Sequence, residues 1–186
     1  MNDTITSILK RRSCKSFTEK KVSHADLEQI IMAGIYAPSA SNKQPWHITV
    51  ISDAKLLDRI VDVAVETMLV SDNDQLIKRA SVEGYHTFYH APTVVIISGE
   101  EIQKYASVDC GLALENMAIA AQSLGIGSCF IASVHPAFTG KRSKELINEL
   151  GIPVEFKPLY ALAIGYSLEI NKEAAPRREN TVNYID

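Results

Sequence analysis

The stretch from Val108 to Leu124 constrains this chain more than any other. Its spacing predicts a helix, yet apolar residues fall nearly all round it: Leu112, Ala113, Leu114, Met117, Ala118, Ile119, Ala120 and Ala121. A helix without a wet face must be buried in a core or an interface. The chain has 186 residues, enough for one domain with a real core. In a domain of that size, burial on every side of a helix suggests a second subunit. We therefore expect a single domain over 1–186 that pairs with another copy.

The rest of the chain alternates helical and strand patterns. Helices are predicted over 4–10, 23–36 (capped by Ser23, with Asp26 three positions on), 53–70 (capped by Asp53), 74–84 and 142–150. Strands are predicted over 47–52, 92–98, 128–132 and 158–165. Pro92-Thr93-Val94-Val95-Ile96-Ile97-Ser98 is nearly continuous in apolar character, so it belongs where both faces are covered. Gly125-Ile126-Gly127 lies between a helix and a strand, in that order. A dinucleotide phosphate loop needs the reverse order, so Gly125 is better read as a helix terminator. Residues 166–186 carry charges and few apolar side chains. They cannot build a core, and we expect an extended arm laid across a partner subunit.

Several function classes are disfavoured by the bulk numbers. A net charge of -3 gives no nucleic-acid footprint. The longest apolar run, Pro92 to Ile97, is far too short to span a bilayer. Met1-Asn2-Asp3-Thr4 is polar and carries no signal-like run. Cys14, Cys110 and Cys129 are distant and odd in number, which fits a reducing cytoplasm better than a disulfide scaffold. Nothing in the sequence supplies them with an activating base.

Three constellations could hold a ligand. Arg11, Arg12, Ser13 and Lys15 place four donors within five residues. Guanidinium forks and hydroxyls suit a phosphate, because charge-assisted bonds are strong and directional. A solvated basic turn is the plainer meaning of the same residues. Ala37-Pro38-Ser39-Ala40-Ser41-Asn42-Lys43-Gln44-Pro45-Trp46 crowds prolines, hydroxyls and amides into ten residues. Each Pro removes a donor and restricts its neighbour, so the segment is expected to be irregular. Ser39, Ser41, Asn42 and Gln44 could meet the polar edge of a flat ligand, while Pro38 and Ala40 let its face approach. Punctuation between a helix and a strand is the commoner meaning. Pro176-Arg177-Arg178 could close over a phosphate or be a solvated charge pair. His86 and His90, at i and i+4, lack a third ligand, so polar lining is favoured over a metal site.

In this order and spacing, these motifs resemble the nitroreductase family of FMN-dependent oxidoreductases. The resemblance also takes in Phe17, Asp109-Cys110-Gly111, Asn116-Met117 and Gly165-Tyr166, and it covers nearly the whole chain. It implies an α+β fold of three layers, α/β/α, with a mostly antiparallel central sheet flanked by helices and an extended C-terminal arm. It implies a homodimer with two FMN sites at the subunit interface. Arg11, Arg12, Ser13 and Lys15 would hold phosphate and ribityl from one subunit. Pro38, Ser39, Ala40, Ser41, Asn42 and Gln44 would approach the ring from the other. Backbone at Ile131, Ala132 and Ser133 would lie near flavin N5 and the pyrimidine edge. Arg177 and Arg178 would complete the phosphate clamp.

The implied activity is ping-pong hydride transfer. NADH or NADPH would reduce the flavin, and a nitroaromatic, quinone or activated alkene would take the hydride. No side chain is required as a catalytic acid. A flavin-binding sensor or storage protein without turnover is the alternative, as is a specialised dehalogenase- or flavin-destructase-like member. The shortness of the chain weighs against the latter. Ala132 stands where some members carry an acidic residue, and 66–90 shows no clear match to the family's usual contacts there.

Overall fold

The computed structural model describes residues 1–169 and 173–186. Among the described residues ten helices and strands follow one another: α1 (Asp3–Lys10), α2 (His24–Ile35), β1 (Trp46–Ile51), α3 (Ala54–Leu69), α4 (Asp74–Ala80), β2 (Thr93–Glu100), α5 (Ala106–Ser123), β3 (Gly127–Ile131), α6 (Ser143–Glu149) and β4 (Phe156–Gly165). Short 3-10 turns occupy Ala40–Asn42 and His135–Phe138. The local signals act as the sequence predicts. Asn2 caps α1 through Ile5 N–H, Ser23 caps α2 through Asp26 N–H, and Asp53 caps α3 through Leu56 N–H. Gly125 leaves α5 at φ 73°, in the left-handed region that suits glycine.

The four strands form one antiparallel sheet in the order β1-β2-β4-β3. Period-two alternation divides its side chains between two cores. Val94 and Ile96 of β2, with Ala161 and Ala163 of β4, face α3 and α6. Val95 and Ile97, with Leu162 and Ile164, face α2 and α5. Helices therefore cover both faces, giving the expected three-layer α/β/α arrangement. β2 is buried through Thr93–Gly99, as its apolar run requires.

Helix α5 packs closely on α2 because Gly34 has no side chain. A Cβ there would lie 2.7 Å from Met117 Cγ. Asn116 Nδ2 donates to Ala33 O at 3.1 Å and fixes the pairing. The far side of α5 is not covered by the described residues: Val108 is 59% and Leu112 43% exposed. Ile5, Ile8 and Leu9 of α1, and Met32 and Ile35 of α2, are also exposed.

One expectation is corrected. The helix predicted over 74–84 stops at Ala80, and a turn ending in Gly84 at φ 71° follows. Ser81, Val82, Glu83 and Gly84 are all exposed and contribute no buried face to extend it. The Pro38–Pro45 segment is irregular as expected, its short turn at Ala40–Asn42 carrying left-handed backbone at Ser41. Of the expected arm, residues 170–172 lie outside the described residues. Residues 173–186 are exposed and form neither helix nor strand.

Candidate active site

The segment after α1 runs alongside β3. Cys14 N–H donates to Ser128 O at 2.9 Å, and Thr18 N–H donates to Tyr166 O at 2.8 Å. This pins Ser13–Phe17 against the ends of β3 and β4. Burial raises the Cys129 thiol pKa, and Lys15, a hydrogen bond from Ser13, and Arg11 pull against it. Three predicted phosphate residues thus act electrostatically on one sulfur. Arg11 Nε pairs with Glu115 Oε1 at 3.2 Å. Arg12 Nη1 donates to Leu9 O at 2.8 Å and Arg11 O at 2.7 Å, closing the end of α1. Its Nε is buried with no partner.

The Pro38–Gln44 loop is strained. Ser41, Asn42 and Gln44 adopt φ of 52°, 53° and 49°, which costs a residue with a Cβ roughly 1–2 kcal/mol. Such strain persists only where surrounding contacts impose it. Ala40 N–H donates to both carboxylate oxygens of Asp109, at 3.3 and 3.2 Å. Gln44 N–H donates to Ser39 Oγ at 2.9 Å, and Gln44 Nε2 donates to Asn42 Oδ1 at 3.2 Å. Pro38, Ser39 and Ala40 line a cavity of about 350 Å³ with Tyr105, Val108 and Leu112. Ser41, Asn42 and Gln44 are exposed.

Ile131 is buried at the end of β3, Ala132 is exposed and Ser133 is half-buried. Ser133 and Lys15 line a cavity of about 510 Å³ together with Arg79, Tyr85, Tyr89 and His90. Arg12 and Ser13 face a different cavity, of about 450 Å³, beside Gly125 and Ser167. The Arg11–Lys15 segment and the Pro38 loop therefore face different spaces of one protomer. Arg177 and Arg178 are on the exposed arm, where Arg177 Nη1 turns back to Ala175 O at 3.3 Å.

Sequence reasoning passed over three contributors: Asp109 as the anchor of the Pro loop, and Arg79 and Tyr89 as cavity walls. Asp109 carried a signal, being an acidic residue at the head of an apolar helix. Arg79 carried none, because its place depends on where α4 stops.

His86 and His90 sit in a turn, with ring centroids 4.1 Å apart. His86 Nδ1 accepts from Phe88 N–H at 3.1 Å and His90 N–H at 3.2 Å. Its Nε2 faces Asp58 Oδ1 at 3.6 Å. Burial, then His90, lowers the His86 pKa, so the ring is neutral near pH 7. That Nδ1 lone pair is already engaged in holding the turn. Among the described residues no three His, Cys, Asp or Glu side chains gather to hold a metal ion. Burial pushes the Cys110 thiol up to about 12, with Asp109 adding to it; a thiol so protonated is no nucleophile. No helix among the described residues is long and apolar enough to cross a membrane.

The nitroreductase family model matches residues 8–166. The chain belongs to the nitroreductase family. A nitroreductase with bound FMN from Bacteroides fragilis is 32% identical, superposes with a TM-score of 0.94, and each chain covers 100% of the other. A nitroreductase with bound FMN from Desulfitobacterium hafniense is 27% identical with a TM-score of 0.91, again at 100% coverage of both chains. A Bacillus subtilis protein named FMN reductase (NAD(P)H) is 29% identical over 192 residues, 99% of this chain and 74% of the relative.

Proposed function

We propose that this protein is an FMN-dependent oxidoreductase that takes hydride from NADH or NADPH and passes it to an electron-poor acceptor such as a nitroaromatic, quinone or activated alkene. The observation that carries this reading is the Arg11–Lys15 donor segment held against β3 by the bond from Cys14 N–H to Ser128 O, in a family whose similar solved structures hold FMN. The donor set suits the cofactor. Arg12 Nε is buried and unpartnered, a donor that an anion would satisfy. Arg11, Arg12, Ser13 and Lys15 would hold phosphate and ribityl, with Arg177 and Arg178 closing over the phosphate.

The ring site needs a second copy. Pro38, Ser39, Ala40, Ser41, Asn42 and Gln44 of a partner subunit would face the ring, and the exposed apolar side of α5 would be the seam between copies. The C-terminal arm would lie across that partner. The strained loop is preorganised by Asp109, so its amides need not reorganise on binding. When bound, FMN supplies two-electron hydride chemistry. The backbone at Ile131, Ala132 and Ser133 would stabilise negative charge at the pyrimidine edge. Donor and acceptor would use the same space in turn, and the protons that balance hydride transfer to the acceptor would come from solvent, so no side chain need act as an acid.

Steady-state rates at several fixed quinone concentrations test this. Double-reciprocal plots against NADH or NADPH should be parallel; converging lines would refute the alternating mechanism. Sedimentation should give twice the 20.5 kDa chain mass.

A further inference from the structure

His86 lies in the turn that leads into β2, with 8% of its side chain exposed. Its Nδ1 accepts from Phe88 N–H at 3.1 Å and from His90 N–H at 3.2 Å. A ring nitrogen that accepts carries no proton, so the hydrogen of the neutral ring sits on Nε2, which faces Asp58 Oδ1 at 3.6 Å. The bond from Phe88 N–H reaches back two residues, as the bond to an Asn or Asp side chain does in an Asx turn. An Asn could make it with no group that titrates. A histidine makes the same bond conditional on its charge.

The turn has much to lose with that acceptor. Tyr89 and His90 take φ of 55° and 54°, a conformation a Cβ disfavours, and such strain persists only where contacts impose it. Phe88 is fully buried, so its amide has no water to bond if Nδ1 stops accepting. A proton on Nδ1 would set a third donor against the two amides. The turn as built and a charged His86 therefore exclude each other. Tyr89 projects from this turn, and its ring centroid stands 5.6 Å from Lys15 Nζ. Tyr89, Lys15 and Ser133 border one cavity of about 510 Å³, where Lys15 and Ser133 are the residues assigned to the flavin.

The charged and titratable groups around His86 come from three sides. Asp58 and Asp62 of α3 favour its protonated form, and His90 of its own turn opposes it. Glu19 and Lys21 share a second cavity, of about 310 Å³, with His86, His90 and Asp58. Lys15 and Arg79 line the flavin side. Burial is the largest influence and outweighs the two aspartates, which leaves the ring neutral near pH 7.

We propose that His86 is a positioning residue for the flavin site: its neutral ring holds the turn so that Tyr89 stands against Lys15, and a proton on Nδ1 releases Tyr89 and loosens FMN. The proposal rests on the flavin reading above, which gives Lys15 to the phosphate and ribityl of the cofactor.

The test is FMN affinity, read by quenching of flavin fluorescence between about pH 8 and pH 5 in the parent, His86→Asn and Tyr89→Leu. The FMN phosphate itself takes up a proton near pH 6. That contribution is common to all three proteins, so the differences between profiles isolate His86. The parent should lose about three- to fivefold more affinity than His86→Asn over this range, the size of one cation–aromatic contact at a partly exposed site. At the alkaline end His86→Asn should match the parent, because its amide oxygen replaces Nδ1. Tyr89→Leu should bind FMN more weakly there and show the shallow profile of His86→Asn. Parallel profiles in the parent and His86→Asn overturn the proposal. A parent-like slope in Tyr89→Leu also overturns it, because Tyr89 would then not be the link. Nitrogen-15 shifts of the parent imidazole need neither variant nor flavin: the neutral ring should carry its proton on Nε2, and a proton on Nδ1 overturns the proposal. A parent that takes up no FMN refutes the flavin reading and this proposal with it.

Discussion

Replacing Asp109 tests whether the Pro38–Gln44 loop is held by one buried carboxylate. Asp109 is 4% exposed at the start of α5, and Ala40 N–H donates to both its oxygens at 3.3 and 3.2 Å. A hydrogen bond to a charged group contributes about 1.5–3 kcal/mol. Both distances are long, and the partly exposed Ala40 lets water recover some of the loss, so the lower end applies. Asp109→Ala should therefore cost about 1.5 kcal/mol, or roughly 3–6 °C in Tm for a chain of this size. Asp109→Asn keeps an acceptor without the charge and should fall about midway. The loop holds three left-handed residues that have a Cβ. Freed of its anchor it should relax, and FMN should bind more weakly in both variants in the same order. Differential scanning calorimetry and quenching of FMN fluorescence read the two effects. A Tm within 1 °C of the parent in both variants would refute the anchoring argument.

Removing Arg11 and Arg178 together should weaken FMN binding by about 100-fold, at about 1.5 kcal/mol for each charge-assisted contact; retained affinity in a fluorescence titration would sink the phosphate assignment. His86 has a folded-state pKa below its ordinary 6.5, so the unfolded chain takes up its proton first as pH falls. The stability this contributes is present above about pH 6.5 and is lost as pH falls through that value towards the folded pKa. Urea midpoints should accordingly drop between about pH 7 and pH 5 more steeply in the parent than in His86→Gln, and parallel profiles would contradict the burial of a neutral ring. Gly165→Ala should cost about 1–3 kcal/mol by overpacking, since its Cβ would lie 2.7 Å from Pro92 Cδ and 3.0 Å from Phe17 Cδ1; an unchanged thermal midpoint would show that those rings move aside.

Much of the fold is legible because its signals are local. Ser23 and Asp53 start helices by bonding amides three residues on. The apolar run of β2 announces a strand covered on both faces, and Gly125 announces the end of α5. The open side of α5 is legible for a different reason. The apolar pattern of that helix is why the sequence suggests a partner, and Val108 and Leu112 do lie outside the core of the protomer. What escapes the sequence depends on contacts far apart along it. The bond from Ala40 to Asp109 spans 69 residues. The left-handed Tyr89 and His90 follow from a histidine lone pair that periodicity does not report. Arg79 and Lys15 share a cavity only because α4 stops at Ala80. The Arg11–Lys15 cluster is visible as a donor set, whereas its place against β3 depends on the pairing of Ser13 with Ser128.

The most direct test of the account is an absorbance spectrum of the purified protein between about 300 and 550 nm, recorded anaerobically before and after NADH and then NADPH. The account predicts a bound-flavin spectrum that bleaches with at least one of the two nucleotides and returns when a quinone is added. Protein that holds no flavin even after addition of FMN, or flavin that stays oxidised with both nucleotides, would contradict it.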